Sequence, residues 1–229
     1  MMYRFHVGLD LGQLQDYTAV SILDQRLETQ RPDVDEMFNG VVSISVPRYE
    51  LRYLERFPLN TPYPEVVQKV KALMMKPEVF SNAILVVDKT GVGQPVVDDL
   101  RREGLPLVGV QITGGSTVTQ VGKDFRVPKA DLISAFQVLV QGERLKIASS
   151  LEHAQTLKQE ILNFRVKTNE RTGNESFEAW REGDHDDLVL ATALACWYAT
   201  RNEHRSRVYA DDYGYAQVDE EYDPLRWEM

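Results

Sequence analysis

The sequence predicts an α/β domain built on a mixed sheet, with three antiparallel strands, then parallel strands, flanked by helices. Three observations carry that reading. Two short apolar runs, YRFHVGLD (3–10) and YTAVSILD (17–24), are joined by the turn GQLQD, and a β-branched run, GVVSISVPRYEL (40–51), follows them. From residue 64 onward, helical and strand-like patterns alternate. A long apolar helix closes the order, and it opens on the crowded acidic segment GDHDDLVLA (183–191).

The elements follow in chain order. The first three runs, with short connections, predict an antiparallel meander, and TQRPDVDEMFN (29–39) reads as a polar loop. PEVVQKVKALMMK (64–76) has amphipathic spacing, with Pro64 suited to a first helical turn. NAILVVDKT (82–90) is a continuous apolar run that stops at Asp88, as expected of a strand covered on both faces. QPVVDDLRREG (94–104) predicts a helix capped by Gly104, and LVGVQIT (107–113) a second buried strand. Strand, helix, strand is a βαβ unit with parallel strands. Residues 114–129 form a polar, glycine-bearing loop or hairpin, 131–145 and 150–166 read as helices, and 167–180 suits a small hairpin. The last helix is expected over about 186–203.

Composition narrows the class. With 229 residues and 43% hydrophobic content, the chain can build one sizeable core. Its one cysteine, Cys196, lies in an apolar run, so neither an internal disulfide nor a Cys/His zinc pattern is available. MMYRFHVGLDLG lacks the layout of a signal peptide, and no apolar run approaches the ~20 residues that cross a bilayer. An intracellular protein without a membrane anchor is expected. Of the net charge of −9, residues 211–229 carry −6. The expected organisation is a domain over 1–205 and an acidic tail over 206–229. Overall charge neither supports nor excludes DNA as a partner.

The acidic segment raises a physical question. One carboxylate suffices to cap a helix, and three in four residues repel one another. Asp10 ends the first strand, Asp88 ends the fourth, and Asp187 opens the last helix. Each stands where an apolar element stops, so each can leave the core toward a common cleft. Asp184 precedes Asp187 by three residues and joins its face if the turn has begun, while Asp186 is left to cap. Asp16 lies in a turn that can return to the cleft, and a plain turn residue is the equal alternative. Converging carboxylates disfavour their own ionisation unless cations are present. Hard oxygen donors point to Mg²⁺ or Mn²⁺, and two ions ~4 Å apart would hold an attacking water and a leaving oxygen in line.

This element order is characteristic of the ribonuclease H-like fold, in which the first and fourth strands lie side by side. The sequence further resembles the nuclease domain of phage large terminases. The stretches that carry the resemblance are GLDLGQLQDYTAV, LVVDKTGVGQPVVDDL, VPKADLISAFQVLVQGERLKI and GDHDDLVLATALA. It implies a metal-dependent endonuclease that cuts concatemeric double-stranded DNA during genome packaging in the bacterial host cytoplasm, leaving 5′-phosphate and 3′-hydroxyl ends. It implies metal binding by Asp10, Asp88 and Asp187, supported by Asp184, with Asp16 and His185 as further candidates. It also implies a portal, a small terminase and an ATPase motor as partners. No G-x-x-x-x-G-K-[ST] loop is present here, so this chain alone is not expected to translocate DNA; an isolated domain, a split terminase with a separately encoded motor and a remnant element stay open.

DNA contact is expected from Lys123, Arg126 and Lys129 beside the glycine-bearing loop, and from Arg165, Lys167, Arg171 and Arg181 around the later hairpin. Ordinary surface charge is the alternative for each. Other readings of the whole chain stay open: a four-way-junction resolvase of the same fold, an actin-like ATPase suggested by GLDLG, and a non-catalytic packaging adaptor.

Overall fold

The computed structural model describes residues 3–12, 16–31, 34, 37, 41–91, 93–164, 185–201, 205–210 and 216–221. In chain order the elements are β1 (Phe5–Asp10), β2 (Ala19–Gln30), β3 (Val41–Arg56), α1 (Tyr63–Met74), β4 (Ala83–Asp88), α2 (Gly93–Arg102) and β5 (Leu107–Thr113). They continue with β6 (Thr119–Val121), β7 (Asp124–Pro128), α3 (Lys129–Gln141), β8 (Leu145–Ile147), α4 (Ala154–Phe164), α5 (Asp187–Arg201), β9 (Arg205–Ala210) and β10 (Ala216–Glu221).

One mixed sheet organises these elements, in the order β10-β9-β3-β2-β1-β4-β5-β7-β6, with β8 paired to β3. The expected meander is present: β1–β2 and β2–β3 are antiparallel. β1 pairs in parallel with β4, and β4 with β5, which completes the predicted βαβ unit. The glycine-bearing loop contains the β6–β7 hairpin, and β7 runs parallel to β5.

Both faces of the sheet are covered, which explains the continuous apolar runs of β1 and β4. One core gathers Val7, Leu9, Leu85 and Val87 with Val66, Val70 and Leu73 of α1 and Val97 and Leu100 of α2. The other gathers Ile84, Val86 and Val108 with residues of α3, α4 and α5, including the buried Cys196. Gly104 ends the α2 turn at φ +75°, a conformation that glycine adopts without a Cβ penalty.

Several boundaries differ from expectation for one physical reason. β2 continues to Gln30 through mostly exposed polar residues, and β3 continues to Arg56 through a mixed stretch in which Leu54 is buried. Cross-strand pairs such as Arg48–Glu28 at 2.7 Å sustain the ladder there without an apolar pattern. The helix expected to reach residue 145 stops at Gln141, and Leu145–Ile147 pairs with β3 instead. Within the segment expected as an acidic tail, β9 pairs with β3 and β10 with β9. The hairpin expected at 167–180, with Asp184, Arg165, Lys167, Arg171 and Arg181, lies outside the described residues.

Candidate active site

The parallel pairing of β1 and β4 brings Leu9 opposite Val87, so Asp10 and Asp88 leave the sheet at the same edge. A third element must then approach closely, and Gly8 permits it. A Cβ at Gly8 would lie 1.8 Å from the carbonyl oxygen of Ala191 in α5. The hydroxyl of Ser21 on the neighbouring strand donates to that same oxygen at 3.0 Å. Asp187 stands one helical turn before Ala191, which places it beside the strand end that carries Asp10. Packing of α5 against a glycine thus sets the third carboxylate.

The carboxylates feel one another. Burial pushes the Asp10 carboxyl well above its ordinary range, and the charges of Asp88, Asp187 and Asp186 push further, against Lys129. Burial also raises Asp88, opposed by hydrogen bonds from Thr90 and by Lys129. Asp187 is raised by burial to about 7, with Arg56 opposing and the charges of Asp186 and Asp16 adding to the rise. The Oδ2 atom of Asp187 is buried and has no hydrogen-bond partner. Among the described residues, no three His, Cys, Asp or Glu side chains make a ready-formed metal cage. The convergence is one of shared electrostatic field.

Each acid has its own support. The amide and hydroxyl of Thr90 both donate to Asp88 Oδ1, at 2.8 and 2.6 Å, while the same hydroxyl accepts the Ile112 N–H at 2.8 Å. Asp16 is exposed in the first turn, and that turn is tied down by the Gly12 N–H donating to the Thr18 hydroxyl at 3.1 Å. A Cβ at Gly12 would fall 2.2 Å from the Asp16 carbonyl oxygen, so this tight return also depends on glycine. His185 places Nδ1 3.8 Å from Asp187 Oδ2 and packs edge-on against Tyr17 at 4.7 Å between ring centroids.

The residues expected to grip DNA differ in their surroundings. Lys123 is exposed at the tip of the β6–β7 hairpin, and Arg126 is exposed and donates to Gln111 Oε1 at 3.2 Å. Lys129 opens α3 inside the acidic cluster and binds Asp186 Oδ2 at 2.8 Å. Its charge lowers both Asp10 and Asp88.

Capping of α5 is divided in a way the sequence did not suggest. The Asp186 carboxylate is engaged with Lys129, while its carbonyl accepts the Leu190 N–H at 2.8 Å. Glu160 of α4 reaches across to accept the Val189 N–H at 3.0 Å. Glu160 also pairs with Arg56, the last residue of β3, and Arg56 Nη2 lies 3.5 Å from Asp187 Oδ2. Sequence reasoning missed Thr90, Arg56 and Glu160. Only Glu160 left a signal, as an acid on the same helical stripe as Leu157 and Ile161.

No family model matches the chain. In sequence it is 26% identical over 189 residues to the large terminase subunits of Thermus phage G20c and Thermus virus P23-45. Those matches cover 82% of this chain, which spans about 30% of the length of each relative. The crystal structure of the large terminase nuclease from thermophilic phage G20c with bound magnesium superposes with a TM-score of 0.55 at 25% identity, covering 85% of this chain and 80% of that one. Strand order and these similarities agree: in sequence and in fold the chain is similar to the nuclease domain of phage large terminases, with the mixed sheet of a ribonuclease H-like fold.

Proposed function

We propose that this chain is a metal-dependent DNA endonuclease of the large terminase type, acting on concatemeric double-stranded DNA during genome packaging in a bacterial host. The observation that carries the reading is the convergence of Asp10, Asp88 and Asp187 from three elements with too little positive charge to neutralise them. Asp187 Oδ2, buried and without a hydrogen bond, fits a site that a cation completes. The donors are carboxylate oxygens, which suit Mg²⁺ or Mn²⁺. The magnesium-bound relative supports the same choice.

Asp10, Asp88 and Asp187 would hold the metal, two ions in all, with Asp184 and Asp16 as supporting ligands. Bound divalent cations supply a nucleophilic water and neutralise charge at the leaving oxygen. The chain's own contribution is preorganisation. Thr90 fixes the Asp88 rotamer, α5 fixes Asp187, and Lys129 limits repulsion in the cluster. Lys123, exposed at the β6–β7 turn, and Arg126, exposed on β7, would contact phosphates without reading bases, while Lys129 would add positive charge at the cleft. The expected products carry 5′-phosphate and 3′-hydroxyl ends. An ATPase motor, the portal and the small terminase are the partners in this reading.

The test is plasmid digestion with Mg²⁺, Mn²⁺, Ca²⁺ or EDTA in parallel. Nicking and linearisation are expected with Mg²⁺ or Mn²⁺ and not with EDTA. Equal cleavage in EDTA, or none under any condition, would defeat the reading.

A further inference from the structure

We propose that Glu160 is a positioning residue that holds Arg56 back from Asp187, so that the Asp187 carboxylate stays available to a divalent cation. The inference rests on the metal-dependent reading of the site. Arg56 stands between two acids, and the closer of its contacts is with Glu160; its Nη2 lies 3.5 Å from Asp187 Oδ2. All three side chains are well buried, with side-chain exposures of 15% for Arg56, 5% for Glu160 and 5% for Asp187. In such surroundings a cation shared between two carboxylates is worth far more than at the surface, so its placement matters.

Glu160 is not itself placed to receive a metal. One of its oxygens accepts from Arg56 and the other accepts the Val189 N–H at 3.0 Å, so both are engaged with protein groups. Arg56 has little freedom to leave, because its guanidinium lies over the Tyr17 ring at 4.7 Å. Asp187 Oδ2 is left buried and without a hydrogen bond. If Glu160 lost its charge, Arg56 would close on Asp187 and make the bidentate pair that arginine and carboxylate favour. That pair would compete directly with a divalent ion.

The experiment uses the full chain, Mn²⁺ as the probe, and two readouts: calorimetric Mn²⁺ affinity and the Mn²⁺ dependence of plasmid nicking. Glu160→Gln can still accept the Val189 N–H. It should weaken Mn²⁺ binding and raise the half-maximal Mn²⁺ concentration by about tenfold, with the rate at saturating metal largely retained. Arg56→Gln should bind Mn²⁺ at least as tightly as the wild type. The double variant Glu160→Gln/Arg56→Gln should return to within about twofold of wild-type affinity. A purely structural role would predict no such rescue. Unchanged affinity in Glu160→Gln, or a double variant as weak as the single, overturns the proposal. If Glu160→Gln fails to fold, Arg56→Gln decides alone, and weaker Mn²⁺ binding in it overturns the proposal. A wild type that neither binds Mn²⁺ nor nicks DNA defeats the functional reading as a whole, whereas an active wild type with the wrong variant pattern defeats only the role of Glu160.

Discussion

Asp24 and Asp10 occupy opposite ends of one strand pair and have opposite electrostatic fates. In the β1–β2 ladder Asp24 faces Phe5 at the entry of β1, and Asp10 faces Ala19 at its exit. Both are buried, at 1% and 7% exposure. Asp24 is ringed by Arg4 at 2.8 Å, Arg26 at 2.9 Å and Arg52 at 3.5 Å. Burial alone would raise its carboxyl, but the hydrogen bonds from Arg4 and Arg26 outweigh it and hold the group below the ordinary range. Asp124 is treated likewise, by Lys89 at 2.8 Å, Arg101 at 2.5 Å and the Gly109 N–H at 2.9 Å. Asp10 has neighbouring acids instead, and its carboxyl is raised. The fold can satisfy a buried carboxylate completely, and at one sheet edge it does not. In the proposed function, a cation would balance the unmatched charge there.

The sharpest break of this comparison is a pair of isosteric changes. Asp10→Asn should cut the nicking rate by about 100-fold or more, equivalent to about 3 kcal/mol at the barrier, and should leave the EDTA-treated protein as stable or more stable. Asp24→Asn should do the reverse: activity per folded molecule persists, and stability falls by about 1–2 kcal/mol because the arginines are left facing one another. Matched nicking assays and urea unfolding check both. Equal activity in wild type and Asp10→Asn would erase the distinction between the two ends.

A smaller effect separates geometry from charge. Gly8→Ala places a Cβ against the Ala191 carbonyl, so α5 must shift and carry Asp187 with it. A destabilisation of about 2–3 kcal/mol is expected, together with lost nicking in whatever protein stays folded. Unfolding at wild-type denaturant concentration with normal activity would show that α5 docks by other means.

The smallest effect is in pH. Asp187 is raised to about 7, chiefly by burial. A raised carboxylate contributes stability that is complete below its unfolded pKa, near 4, and is lost as pH rises through the folded value. Metal-free protein should therefore weaken between about pH 4 and pH 8, and Mg²⁺ should restore more stability at pH 8 than at pH 5, by about 5 °C in Tm. The other end of the sheet titrates with the opposite sign. Asp24 is lowered, so its contribution is present above about pH 4 and lost in acid. His6 is buried against Gln25 and held down to about 4, so its contribution fades as pH falls from about 6.5 toward that value. Thermal scans across pH, with Mg²⁺ and with EDTA, check the pattern, and a metal effect independent of pH would contradict it.

What the chain's own order determined was the framework. Apolar period and strand-end aspartates are local signals, and they located β1, β4, α5 and the positions of Asp10, Asp88 and Asp187. Part of the strand order followed from the connections, because two links join the three strands of a meander and a helical crossover makes a parallel pair, while the pairing of β1 with β4 was expected from the ribonuclease H-like resemblance. Tertiary structure alone decided the partnerships. Residues 56, 160 and 187 meet only after three elements pack, and nothing near Arg56 in sequence announces its acids. The short β8 and the outer β9 and β10 exist because neighbouring strands offer hydrogen bonds, which no local propensity reports. The assignment of Lys129 to Asp186, rather than to solvent, is equally a matter of what folding brings near. Periodicity is written residue by residue, whereas charge balance in a buried cleft is settled by distances that only the folded chain possesses.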